Sequence, residues 1–359
     1  MADQHQTTRA SAGSALTPNR CGFVKTKQPR SIDSAVSMIR PSFLFLLQLF
    51  LLLTAAPAAR ADLMVSSFRT DQVLRYSNSG VFLGVFAAGG GLDGPRGLAF
   101  GAGGDLFVVS QNTNQVLRFD GNTGASEGVF ASGVGLDMRN GLAFGAGGDL
   151  FVASFSTNQV LRFDGITGTS KGIFASGGGM NGPLGLAFGS GGDLFVTNGD
   201  GATNQVLRFD GNTGAPEGVF ASGGGLNLPF GLAFGPSGDL FVASAFSNQV
   251  LRFDGTTGAS EGVFASGGLN FPLALAFGPG NDLYVTNLNT DQVLRFDGTT
   301  GAAKGIFAAG GGLDEPGFLA FAPAPIPEPS SLVLLTVGAA ALLVYCRRRA
   351  PWLRSIAAR

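Results

Sequence analysis

Between residues 62 and 322 the chain cycles through short apolar runs separated by polar, glycine-containing turns. Runs such as Leu106-Phe107-Val108-Val109 are apolar at every position, so alternating side chains make both faces of a strand apolar, as in a sheet covered on two sides. Each cycle divides into four such runs. The first is of the type Gly97 to Phe100, with small residues. The second follows a Gly-Gly-Asp turn, as at Asp105 to Val108. The third is Gln-Val-Leu-Arg-Phe-Asp, and the fourth, of the type Gly128 to Gly133, follows Asp-Gly-Asn-Thr-Gly. Glycine, Asn and Asp at these places are turn formers, so the pattern predicts four short strands per cycle.

The third run sets the period. NQVLRFD occupies 114–120, 158–164, 204–210 and 248–254, DQVLRFD occupies 291–297, and DQVLRY occupies 71–76. The spacings are 43, 44, 46, 44 and 43 residues, the period of propeller blades with four strands each. Six copies predict an all-β, six-bladed β-propeller over residues 62–322. Its ends are complementary: the domain opens on a second run at Asp62 to Val65 and closes on an unpaired first run at Phe318 to Phe321. Pairing them completes the sixth blade from both termini and removes the free sheet edges.

Two further apolar stretches flank this domain. Phe43 to Thr54 is too short to span a bilayer and is followed by Ala59-Arg60-Ala61, so residues 38–61 read as a signal peptide cleaved before Asp62. Residues 1–37 are polar and unusually long for the start of such a signal, which makes Met38 the expected initiator. After the domain come a proline-rich linker (323–330), an apolar stretch (331–346) read as one transmembrane helix, and a basic tail (347–359). Arg347-Arg348-Arg349 would stay on the cytoplasmic side and leave the propeller facing outward.

Two resemblances follow from these residues. The cycle, with Leu240-Phe241-Val242 followed by Asn248-Gln249-Val250-Leu251-Arg252-Phe253, resembles the NHL repeat. That resemblance implies the propeller fold; on function it is open, since NHL-like propellers include enzymes, protein binders and RNA binders. The order Pro327-Glu328-Pro329, apolar stretch, Arg347-Arg348-Arg349 resembles the PEP-CTERM sorting signal. It implies an exosortase-type processing protease as partner, cleavage near Pro327 to Pro329, and sorting to the cell envelope or extracellular matrix.

Charge narrows the function classes. Residues 62–322 hold 11 Lys and Arg against 21 Asp and Glu, a net −10 with no basic stripe, which argues against nucleic acid as a partner. Cys21 and Cys346 lie outside the domain, so it has no disulfide framework. The single histidine, His5, lies in the leader, removing histidine general-base chemistry and histidine-bound zinc. The carboxylates Asp105, Asp149, Asp193, Asp239 and Asp282, and Asp120, Asp164, Asp210, Asp254 and Asp297, recur at equivalent positions from cycle to cycle and read as turn devices. The arginines Arg118, Arg162, Arg208, Arg252 and Arg295 read as their blade-to-blade partners. The expectation is therefore a binding or matrix-scaffold module that is not an enzyme and carries neither metal nor cofactor. The alternative is a metal-assisted lactonase or lyase of the six-bladed type.

Function is expected where the cycles disagree. The connections after the second and fourth runs fall on one face and vary, presenting Phe68, Arg96, Arg139, Phe155, Asp200, Phe230, Phe246 and Phe271 among small residues. Aromatic and Arg side chains are common binding anchors, so this face is the candidate site for an extracellular ligand or matrix component.

Overall fold

The doubly apolar second runs dictate what is seen: sheets stacked face to face in a ring. In the computed structural model, which describes residues 61–133, 135–137, 141–199, 203–323 and 338–339, six four-stranded antiparallel sheets form the six blades of a propeller. Blades 1 to 5 span residues 95–131, 142–176, 183–222, 229–265 and 272–309; blade 6 joins 63–88 to 316–321.

Closure follows the predicted pairing. Leu63–Ser67 lies against Pro316–Phe321, with Leu63 opposite Phe321, Met64 opposite Ala320 and Val65 opposite Leu319. The first strands of neighbouring blades touch one another around the axis.

Alternation within each second strand distributes the core. Phe107 and Val109 join Leu142, Val152 and Phe163 of blade 2, while Leu106 and Val108 join Met64, Val73 and Leu98 on the blade 6 side. Six such clusters fill the six junctions, and one strand thereby serves two of them. The rings interlock edge to face: Phe107 stands 4.6 Å from Phe130 and 5.0 Å from Phe144, and blades 2 to 5 repeat the arrangement.

The Asp-Gly-x-Thr-Gly turn is explained by contact. Asp120 Oδ1 accepts hydrogen bonds from the N–H groups of Asn122 and Thr123 and from the Thr123 hydroxyl. Gly124 (φ +72°) seats its backbone so close to Phe86 of the preceding blade that a Cβ would lie 1.7 Å from that residue's carbonyl oxygen. Only glycine fits there.

The leader, the signal peptide, the proline-rich linker and the basic tail lie outside the described residues. So does the expected helix at 331–346, except for Gly338 and Ala339, which are helical. Among the described residues no helix is long and apolar enough to cross a membrane.

Candidate functional site

Each blade's second-to-third-strand connection runs beside the connection arriving from the previous blade. Gln111 N–H donates to the Gly94 carbonyl (3.0 Å) and Phe246 N–H to that of Asn227 (3.1 Å). The varying segments thus share one face, as the sequence indicated.

At the centre of that face the first strands open a cavity of about 280 Å³. Its wall carries Arg96 and Gln111 from blade 1, Phe155 from blade 2, Leu184 and Gly199 from blade 3, Leu228 and Phe230 from blade 4, and Phe271, Leu273 and Leu288 from blade 5. Arg96, Leu184, Phe230 and Leu273 are equivalent, each following the proline that begins a first strand. Blade 6 has Gly317 there, next to the Arg96 side chain: a Cβ on Gly317 would sit in ordinary contact with Arg96 Cδ, at 3.5 Å, and 2.7 Å from Ser66 Oγ.

The backbone beneath this column is pinned by buried hydroxyls. Ser66 Oγ donates to the Arg96 carbonyl (2.7 Å), Thr197 Oγ1 to that of Phe230 (2.6 Å), and Thr286 Oγ1 to that of Gly317 (2.7 Å). All three side chains are fully buried, where an unmet polar group would be costly.

The invariant Asn or Asp before each third strand clamps the rim. Asn248 Oδ1 accepts from Phe271 N–H (2.7 Å), Asn204 from Leu228 N–H (2.8 Å) and Asp291 from Glu315 N–H (2.8 Å), in each case the next blade's residue. Asp71 and Asn158 hold Gly94 and Gly182 in the same way. The clamped position is left-handed: Leu228 (φ +54°), Phe271 (φ +58°) and Glu315 (φ +51°) occupy a conformation that blades 1 and 3 give to glycine. A bulky residue there costs about 1–2 kcal/mol, and two of these three line the cavity.

Arg96 supplies the cavity's cationic group. Its guanidinium lies 3.8 Å from the centre of the Phe68 ring, Nε donates to Gln111 Oε1 (3.2 Å), and Nη2 is 4.0 Å from Glu315 Oε2. Desolvation pushes its pKa down to about 10, against the pull of Glu315. It remains charged at neutral pH. Glu315 is itself held more tightly by Arg69, at 2.6 Å.

The structure thus brings Arg96, Phe155, Phe230 and Phe271 into one cavity. Phe68 stacks beneath Arg96, and Phe246, 58% exposed, stands edge-on to Phe271 at 5.6 Å just outside. Arg139, Asp200 and the sorting residues Pro327, Glu328, Pro329, Arg347, Arg348 and Arg349 lie outside the described residues. Leu184, Leu228, Leu273 and Leu288 were missed by the sequence reading, because apolar residues at or next to a strand end look like core. Comparing the blades at the position after the proline would have revealed the first and third of them.

The repeated charges belong elsewhere. Arg118 pairs with Asp105 (2.5 Å) and Glu127 (2.7 Å) of its own blade, and the pattern recurs at Arg208 and Arg252. The expected blade-to-blade pairing is therefore corrected. Arg118 is the cross-strand partner of Phe107, so its side chain reaches along its own sheet. In blades 2 and 5 a lysine replaces the glutamate: Lys171 bridges Asp149 (2.6 Å) and Asp164 (3.2 Å), and Lys304 does the same for Asp282 and Asp297. A larger cleft of about 580 Å³ between blades 1 and 2 is lined by these repeated groups.

Residues 325–349 match the PEP-CTERM protein-sorting motif. The chain therefore carries an export and envelope-sorting signal of the kind handled by exosortase-type machinery. No curated protein matches the sequence. A chain from the crystal structure of a nidogen/laminin complex superposes with a TM-score of 0.63 at 17% identity, over 74% of this chain and all of that one. A streptogramin B lyase structure gives 0.54 at 17% identity, over 74% and 92%. Virginiamycin B lyase from Staphylococcus aureus gives 0.53 at 16% identity, over 68% and 84%. These likenesses establish the six-bladed fold, with NHL-type repeats among its neighbours. They also overturn the expectation that the chain is not an enzyme. Lyases are built on the same frame, and a missing histidine removes one kind of acid–base group while carboxylate, arginine and tyrosine chemistry stays open.

Proposed function

We propose that this exported, envelope-sorted propeller is an extracellular binding or matrix-scaffold module that takes its ligand at the axial cavity. The observation that carries this reading is the placement of Leu228 and Phe271. Both occupy a left-handed conformation that glycine fills without strain in two other blades, and both turn large apolar side chains to the cavity wall. Backbone strain retained at a cavity rim is a mark of function, since stability alone would favour glycine. The cavity's apolar wall and the Arg96 guanidinium suit a small apolar ligand, or one protruding group of a matrix polymer, bearing a hydrogen-bond acceptor.

Replacing Leu228 and Phe271 by Gly tests this. The folded state should change by less than about 1 kcal/mol, because relief of strain offsets lost contact. Retention in the matrix fraction should fall about tenfold, the consequence of losing roughly 1.4 kcal/mol of binding. Unchanged retention would sink the proposal. The second reading, turnover at the same mouth, is favoured by the lyase folds among the structural neighbours. There Asp200, which follows the wall residue Gly199, is the candidate group, and Asp200→Asn should abolish any ring-opening or elimination activity found.

A further inference from the structure

Blade 6 departs from the other five at the start of its outer strand. Where they place Glu127, Lys171, Glu217, Glu261 and Lys304, each preceded by two residues no larger than proline or threonine, blade 6 places Leu83 after Val81 and Phe82. These three side chains are 60%, 38% and 52% exposed in the order Val81, Phe82, Leu83. Val85, 48% exposed, extends the patch, although every blade has a Val or Ile at that point. The connection leading into the strand also loses its charge, with Ser77 in place of Asp120.

The patch lies on the outer strand of the blade whose inner strand leads the chain out of the propeller, at the same end of the sheet. Leu83 occupies the position from which Glu127, Glu217 and Glu261 reach their blade's arginine, which in blade 6 is Arg75. Arg75 holds the carboxylate of Asp62 (2.6 Å), and the Asp62 carbonyl accepts a hydrogen bond from Ala322 N–H (2.8 Å). Two strands therefore separate Leu83 from the end of the last strand, with Phe82, Tyr76, Leu63 and Phe321 in register across the sheet. Residues 323–330 follow, then the apolar stretch 331–346 and Arg347-Arg348-Arg349. Eight residues reach at most about 28 Å when fully extended. With the apolar stretch in a bilayer, the end of the last strand stays within that distance of the surface, and the outer strand of the same blade lies three strand spacings, about 14 Å, from it.

Charge rules out three of the edges. The matching corners of blades 1, 3 and 4 each gather three carboxylates within 4.8 Å, two of them paired to one arginine. Hydrogen bonds from their turns hold Asp120, Asp210 and Asp254 below the usual carboxylate range, so they stay ionised. An anionic bilayer repels these corners. The corners of blades 2 and 5 balance two carboxylates with an arginine and a lysine, and blade 6 carries only the Asp62–Arg75 pair; of these three, blade 6 is the one with the Val81-Phe82-Leu83 run.

We propose that Val81, Phe82 and Leu83 form a membrane-contact edge, seated at the headgroup–acyl boundary of the outward-facing leaflet while the tail remains uncleaved. Blade 6 then sits on the lipid and fixes the propeller's orientation beside its own anchor. The contact is independent of any ligand at the axial cavity.

Depth-dependent quenching tests the proposal on the full chain, with Cys21 and Cys346 replaced by Ser and one dye attached at Leu83→Cys or, as control, at Glu127→Cys. The chain is inserted in vesicles of phosphatidylethanolamine and phosphatidylglycerol containing doxyl-labelled lipid. Quenching of roughly twofold or more at position 83, with none at 127, is the expected result. Moving the dye to Val85→Cys and copying the blade 1 sequence by Val81→Ala, Phe82→Ser and Leu83→Glu should abolish it, with the melting temperature showing that the variant still folds. Equal quenching at 83 and 127 overturns the proposal. So does a dye at 83 that is shielded from aqueous iodide yet untouched by doxyl lipid, because the chain's own tail or a second copy would then cover the patch.

Discussion

At the scale of single residues, the recurrent turn aspartates stabilise by staying ionised. Hydrogen bonds from Thr167 and Ile166 N–H hold Asp164 well below the usual carboxylate range, and those from Thr300 N–H and the Lys304 ammonium do the same for Asp297. A folded-state pKa below the unfolded value of about 3.9 contributes stability that is complete above that value and disappears as pH falls through the folded one. The melting temperature should therefore be flat from neutral pH to about 5 and fall below about pH 4. Asp164→Asn with Asp297→Asn should flatten the acid limb, which thermal melts across a pH series would show. A different residue-scale term is the buried Thr197 hydroxyl, which accepts from Gly185 N–H (2.7 Å) and donates to the Phe230 carbonyl. Thr197→Val leaves both groups unmet and should cost about 1–3 kcal/mol. Calorimetry should show a melting temperature lower by several degrees; no change would mean that the backbone under Phe230 is held by other contacts.

At the scale of strands, the runs were readable from the alternation of side chains, and their limits were misjudged in one respect. The first strands begin at Pro95, Pro183, Pro229, Pro272 and Pro316, earlier than the glycine-led run predicted. Proline in sequence reads as a strand breaker. Here it tolerates the start of each inner strand because the register shifts just after it, as between Pro95 and Leu98, and that irregularity leaves the next residue at the cavity wall. The same inner strand closes the ring. A chain ending at Glu315 would lose Pro316–Phe321 and uncover Leu63, Met64 and Val65, which are now almost fully buried. Its calorimetric transition should broaden or vanish, whereas a chain ending at Pro323 should melt as a single cooperative unit.

At the scale of the whole molecule, the sorting signal and the propeller divide the work. The signal at 325–349 directs the chain to the envelope, and the frame presents one varied face around its axis. Processing near Pro327 to Pro329 should leave a cell-associated or released product lacking residues 331–359. Intact-mass measurement of the fractionated protein should find this shortened chain, and finding only the full C-terminus would exclude such cleavage.

The fold class, the six blades and the joining of both chain ends were determined by the sequence alone, because periodic burial and turn chemistry are local properties repeated six times. The sorting motif was equally visible, being a linear order of residues. What only the tertiary structure decided was which departures from the repeat meet. Arg96, Phe230 and Phe271 come from three blades and converge because ring closure brings every first strand to the axis. Met180, where the other blades have leucine, is packed into a blade junction. The partners of the repeated arginines were likewise settled by sheet register, a through-space relation that spacing along the chain does not encode.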